Sequence, residues 1–234
     1  MNLKNAVALV TGGSSGIGRA IAQVLVASGS KVAITGRNKS RLEAAADSLG
    51  AFPIQADVSN EADVERTVQE VLLNWGDLHI LINNAGFGIF KNLVDFDRFS
   101  FEAVFATNVT GAMLMAREAA KHFVQKRRGN IVNIASTAAL RGAPNGTAYY
   151  ASKFALRGMS ECWRAELRKH NVRVFLVNPS EVLTSFFPDR TANSENDSTK
   201  LHPEDIAHMV KAALEMDDRG FTPELSVFAT NPKD

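Results

Sequence analysis

Cysteine occurs once in this chain of 234 residues, at Cys162, so no intrachain disulfide can form. Beside Trp163 in a helical pattern, that thiol reads as packed core and not as a nucleophile. An excess of either charge is also missing. The 26 basic and 25 acidic residues leave a net charge of +1, which excludes a general affinity for nucleic acid or for a membrane surface. No apolar run is long enough to cross a bilayer, and a strand-like stretch at 6–10 begins too early to leave room for a signal peptide. Sequence repeats, low-complexity tracts and a linker between domains are absent as well. Together these absences predict a single cytoplasmic domain over 1–234. The histidines, His79, His122, His170, His202 and His208, lack close metal-ligand spacing, so no catalytic metal is expected. The basic run Lys126-Arg127-Arg128 reads as a solvated helix end.

What is present suits a packed core: 45% hydrophobic and 22% charged residues. Apolar strand-like runs at 6–10, 31–35, 52–56, 78–82, 131–135, 172–177 and 224–229 alternate with helical patterns. The helices are expected at 17–28, 39–49, 61–75, 101–127 (as one or two), 147–170 and 203–216. Gly29, Gly50 and Gly76 stand where helices end, and Pro203 suits a first turn. Such alternation implies a doubly wound α/β fold, its parallel sheet covered on both faces, with strand order 3-2-1-4-5-6-7. A Phe-rich stretch at 87–100 has no clear period. The segment at about 183–202, with Phe186, Phe187 and a polar run, reads as a mobile substrate loop.

Thr11-Gly12-Gly13-Ser14-Ser15-Gly16-Ile17-Gly18 lies between the first strand and the first helix. Glycines there permit a tight turn and let the backbone approach a pyrophosphate, while the helix N-terminus offers free N–H groups to the anion. At the end of the second strand, an acidic residue would bond the ribose 2′-OH of NAD. Gly36 stands there instead, followed by Arg37, which can pair with a phosphate. The pattern predicts NADP(H) over NAD(H); the alternative is a solvated loop arginine.

Tyr149 and Lys153 lie four residues apart in Tyr149-Tyr150-Ala151-Ser152-Lys153. On a helix that spacing puts both side chains on one face. An ammonium held nearby favours a phenolate and is expected to lower the tyrosine pKa, making it a general acid or base. Alone the pair is a weak signal; the glycine turn, which implies a dinucleotide in the same cleft, gives it weight.

With these residues in place the chain closely resembles the short-chain dehydrogenase/reductase family from about Leu9 to Thr184. The resemblance rests on Thr11 to Gly18, Asp57-Val58, Asn83-Asn84-Ala85-Gly86, Asn108, Ser136, Tyr149 with Lys153, and Pro179 to Thr184. It implies that Gly12, Ser14, Ser15, Gly16, Ile17 and Gly18 hold the cofactor phosphates. Asp57 would contact the adenine amino group and Val58 the ring, and Asn84, Ala85 and Gly86 would line the cofactor. Ser136 and Tyr149 would polarise the substrate oxygen. Lys153 would hold the nicotinamide ribose and tune Tyr149. Asn108 would place a relay water; bonding the backbone of a distorted helix is the plainer reading and is compatible with that role. Pro179, Val182 and Thr184 would fix the carboxamide, with hydride leaving the pro-S face.

The implied activity is NADP(H)-dependent reduction of a small-molecule or carrier-bound carbonyl by a homodimer or homotetramer, most like a 3-oxoacyl-carrier-protein reductase. A carbonyl reductase, a hydroxy-acid or sugar dehydrogenase, and a non-catalytic NADP-binding regulator are the alternatives. The intact Asn108, Ser136, Tyr149 and Lys153 set argues against the last. Phenylalanines at 87–101 and 186–187 suggest an apolar pocket wall or ordinary core. The family's usual Pro-Gly after the sixth strand is Pro179-Ser180 here, and its frequent glycine-rich tail is missing.

Overall fold

The computed structural model describes residues 1–186 and 199–230. Its strands are β1 (Val7–Val10), β2 (Lys31–Gly36), β3 (Phe52–Gln55), β4 (Ile80–Asn83), β5 (Gly129–Ile134), β6 (Val172–Pro179) and β7 (Glu224–Val227). They form a 7-stranded sheet in the order 3-2-1-4-5-6-7, with every pair parallel. The α-helices are α1 (Gly16–Ala27), α2 (Lys39–Leu49), α3 (Glu61–Trp75), α4 (Arg98–Phe105), α5 (Ala112–Lys126), α6 (Thr147–Leu167) and α7 (Pro203–Glu215). Most ends fall within a residue or two of expectation.

The bounds of α2 and α3 match the sequence reading because their caps are explicit. Asn38 and Asn60 accept the backbone N–H of Arg41 and Asp63, and Gly50 and Gly76 end the helices at φ +68° and +73°. Alternation along each strand divides the core. Ala8 and Val10 pack with Ile21, Leu25, Ile206 and Val210 on one face. Val7 and Leu9 pack with Val64, Val68, Leu114 and Phe123 on the other. Each fully buried aliphatic side chain contributes about 1.5–3 kcal/mol, which is what holds helices on both sides of the strands.

The helix expected at 101–127 is interrupted. A π-helical stretch, Ala106–Gly111, joins α4 to α5. Gly111 lets it lie against the 57–58 turn, since a Cβ there would meet Val58 at 2.7 Å.

Two expectations need correction. The continuous helical stretch Arg98–Lys126 spans 29 residues and is, by length and composition alone, apolar enough to cross a membrane. Its apolar residues Leu114, Met115, Ala119 and Phe123 are buried in the core. Cys162 is exposed, not core. On α6 it lies about 200° around the helix from buried Ser160, so it turns away from the sheet. The basic run is exposed at the end of α5, as expected, and Arg128 there pairs with Asp77 at 2.6 Å. His122 contacts the same carboxylate at 2.7 Å, and His79 accepts the Val7 N–H, both at the opposite end of the strands from the glycine turn.

Candidate active site

Between β1 and β4 the strand order reverses, and ligands in such sheets lie beyond the carboxyl ends there. A cleft of about 680 Å³ opens at this point and runs from the end of β2 to Tyr149. Its floor is the glycine turn. Gly12 and Gly16 adopt φ +64° and +53°, a conformation that favours glycine. The Gly13 N–H bonds the Thr35 carbonyl at 3.0 Å, tying the turn to β2. Ser15 is the N-cap of α1 but makes no side-chain cap bond, and the first turn holds no acidic residue. The N–H groups of that turn are therefore not taken up by a cap and suit an anion. Ser14 and Ile17 also line the wall, and Thr184 closes over Gly16, where a Cβ would meet Thr184 Cγ2 at 3.3 Å.

One residue expected at the cofactor, Gly18, stands behind the wall. Gly18 is buried, and a Cβ there would lie 2.4 Å from Asn84 Nδ2 and 2.5 Å from the Gly12 carbonyl. The missing side chain lets α1 pack closely against this turn. Asn84 does line the cleft, but its amide donates to the Thr11 and Gly12 carbonyls at 2.9 and 3.2 Å. Thr11 Oγ1 in turn accepts the Asn84 and Ala85 N–H groups. This staple fixes the glycine turn to the end of β4, where Ala85 and Gly86 line the cleft.

At the far end Gly36 closes β2. A Cβ there would meet Ser14 Oγ at 3.3 Å. Arg37 is exposed at the rim, and Arg41 lines the same end. The sequence reading missed Arg41. A signal was available: α2 opens with Lys39 and Arg41 and no acidic residue, an adverse charge at a helix N-terminus unless an anion lies nearby. Asp57 Oδ1 accepts the Ser59 N–H and hydroxyl at 2.9 and 2.7 Å, holding the Asp57-Val58 turn against this end.

At the near end α6 carries Tyr149 and Lys153 on one face, and Ser136 follows β5. Lys153 is buried, donates to the Ile134 carbonyl at 3.0 Å and lies 5.7 Å from the Tyr149 ring centre. Burial pushes its ammonium down from 10.5 to about 8. Tyr149 moves the other way. Burial raises the phenol from 10.0 to about 12, and the Ser136 hydroxyl beside it only partly offsets this. The expected lowering by Lys153 is thus corrected, because the ammonium bonds Ile134 and burial dominates. A phenol held protonated is well placed to give its proton to an alkoxide, a stronger base.

Asn108 lies in the π-helical stretch, only 2% exposed and off the cleft wall. Its Oδ1 accepts the Phe87 N–H at 3.0 Å, and its Nδ2 donates to the Phe87 carbonyl at 2.9 Å and to Ser152 Oγ at 3.0 Å. The side chain brackets the loop after β4 to α6, and these partners lie outside its own helix. Ser152, which the sequence reading did not single out, completes the bracket by donating to the Tyr149 carbonyl at 2.6 Å.

Beyond β6, Pro179, Val182 and Thr184 line the cleft. Val182 bridges Leu201, and Glu181 pairs with Lys200, so both arms of the substrate segment are joined at its base. Ser180 replaces the usual glycine without a positive φ. Its N–H donates to Val227 and its Oγ accepts from Ala229, anchoring β7. Phe187 and the polar run of the expected mobile loop as far as residue 198 lie outside the described residues. Of the Phe-rich stretch, Phe87 and Phe90 reach the cleft, whereas Phe99 is 82% exposed and Phe101 stacks on Phe105.

Residues 6–195 match the family described as short chain dehydrogenase. The chain belongs to the short-chain dehydrogenase family. It is therefore an oxidoreductase. A Bos taurus protein named 3-oxoacyl-[acyl-carrier-protein] reductase is 36% identical over 185 residues, 78% of each chain. The 3-ketoacyl-(acyl-carrier-protein) reductase of Brucella melitensis, solved with NADH, superposes with a TM-score of 0.91 at 30% identity, over 99% of this chain and 100% of that one. An alcohol dehydrogenase of Thermococcus sibiricus, solved with 5-hydroxy-NADP, gives 0.90 at 28% identity over 99% of both. In this family member the glycine turn and the Tyr-Lys pair line one cleft.

Proposed function

We propose that this short-chain dehydrogenase transfers hydride reversibly between NADPH and a ketone, with Tyr149 supplying the proton. The observation that carries the reading is one continuous cleft, with Arg37 and Arg41 at one end and Ser136, Tyr149 and Lys153 at the other. Bound NADPH supplies the hydride. The Ser136 and Tyr149 hydroxyls hold the ketone oxygen and stabilise its developing charge. Tyr149 then releases its proton to that oxygen. Lys153 gives one N–H to Ile134 and has two left for the ribose hydroxyls. Asp57 and Val58 frame the adenine, and Val182 and Thr184 the carboxamide. A 3-oxoacyl thioester on a carrier protein is the first substrate to try, given the bovine and Brucella relatives. The active form is a homodimer or homotetramer, as the family resemblance implies.

Cofactor choice follows from charge. No carboxylate stands at Gly36 to repel a 2′-phosphate, and two guanidiniums border that end. Hydrogen bonds to charged groups contribute about 1.5–3 kcal/mol. Arg37→Ala should therefore reduce the NADPH-to-NADH ratio of kcat/KM by about tenfold to a hundredfold, and Arg41→Ala should act in the same direction. Steady-state kinetics with both cofactors checks this. A wild-type preference for NADH, or ratios untouched by either change, would refute it.

A further inference from the structure

The substrate end of the cleft is walled by aromatic rings. Phe87 and Phe90 come from the loop after β4, Tyr149 and Tyr150 from α6, and Phe186 from the segment after β6. The Tyr149 ring centre lies 5.5 Å from that of Phe90 and 5.4 Å from that of Phe186, with planes inclined by 53° and 56°. Gly88 allows this closeness. A Cβ there would lie 2.7 Å from Phe90 Cε2 and 3.2 Å from Tyr149 Cδ2. Any side chain at 88 would drive the Phe90 ring off the phenol, so the slot is built into the backbone.

Charge is distributed unevenly along the same wall. Among the described lining residues, Arg37, Arg41 and Asp57 belong to the end far from Tyr149. Lys153 bonds Ile134 beside the phenol, and Glu181 pairs with Lys200. Among the described residues that line this end, Lys153 is the one cation, and its N–H groups go to Ile134 and, in the proposed function, to the ribose, which leaves none to receive a substrate carboxylate or phosphate. An anion drawn in there would lose its hydration without compensation. A flat apolar group, by contrast, would exchange water for ring faces and edges.

We propose that the ketone carries an uncharged aryl or cycloalkenyl group next to the reacting carbonyl, and that Phe90 and Phe186 set this preference. The inference rests on the reading of the cleft as a site of NADPH-dependent ketone reduction. The same aryl ketone can be free or can form the acyl end of a thioester.

Five compounds separate these points. Methyl benzoylformate and benzoylformate share a shape and differ in charge; methyl pyruvate lacks the ring. The kcat/KM for methyl benzoylformate should exceed that for benzoylformate by at least about a hundredfold, and that for methyl pyruvate by about tenfold or more. Phe90→Ala should lower the methyl benzoylformate to methyl pyruvate ratio about tenfold. Phe90→Leu, which keeps bulk and protects folding, should lower it less but in the same direction. Comparing 1-phenylbutane-1,3-dione with the benzoylacetyl thioester of N-acetylcysteamine then distinguishes a free ketone from an acyl thioester. Benzoylformate reduced as well as its ester, or a ratio unmoved by both Phe90 changes, overturns the inference. NADPH-dependent turnover of methyl pyruvate without turnover of methyl benzoylformate overturns it while leaving the proposed function standing. Failure of the protein to bind NADPH, read by its fluorescence, removes both.

Discussion

Tyr149→Phe should lower kcat/KM for ketone reduction by about a thousandfold, within the range of a lost general acid, while the Kd for NADPH changes by less than about threefold. The substitution removes one oxygen and leaves the ring. Packing against Phe90 and Phe186 is kept, as is the Ser152 bond to the Tyr149 carbonyl. Stopped-flow NADPH oxidation and a fluorescence titration measure the two quantities. Retained turnover would remove Tyr149 from the proton-donating role. The wild-type pH profile should reflect the neighbouring lysine. With the phenol raised to about 12, Tyr149 stays protonated through neutral and mildly basic pH. Lys153, pushed down to about 8, loses its charge first. Because kcat/KM reports groups of the free enzyme, it should be level below pH 8 and fall above it.

Lys153→Met should abolish measurable reduction, a loss of about a thousandfold or more, and yet leave the protein at least as stable at neutral pH. The first effect follows from losing the ribose contact and the positive charge beside the phenol. The second follows from linkage. A lysine whose pKa falls from 10.5 in the unfolded chain to about 8 on folding opposes folding while it is charged. Between those values the unfolded chain binds more protons, so stability rises with pH from about 8 to about 10.5, by about 3 kcal/mol in total. Tyr149 has the opposite sign, because its raised pKa makes folding less favourable as pH climbs from about 10 to about 12. Chemical denaturation of wild type and Lys153→Met across pH 7–10 tests the pair. The wild-type rise should vanish in the variant. A variant much less stable at pH 7 would show that the ammonium holds the fold together instead.

The sheet order and the helix bounds were legible because they follow from local rules. Short continuous apolar runs mark strands covered on both faces, and Asn38, Gly50, Asn60 and Gly76 mark helix ends through their own side chains or their lack of one. The glycine turn was legible for the same reason. The electrostatics of Tyr149 was not. Spacing along a helix shows which side chains share a face, but not how deeply the sheet and the aromatic loop bury them, and burial decides the direction of both pKa values. Asn108 shows a related limit: its partners Phe87 and Ser152 are distant in sequence, and only the π-helical turn brings them together. Gly18 lies within the motif yet packs against Asn84, a distinction that needs the positions of both strands. Cys162 was misread because its apolar neighbour Trp163 is on a different side of α6.

Stereospecific labelling of the hydride tests the account most directly. NADPH deuterated at the pro-S or the pro-R position of nicotinamide C4 would be oxidised with a ketone substrate, and the product alcohol analysed by mass spectrometry. The family resemblance implies transfer from the pro-S face, so the account predicts deuterium on the carbinol carbon from the pro-S label and none from the pro-R. Alcohol free of deuterium from both, or labelled from pro-R alone, would contradict it.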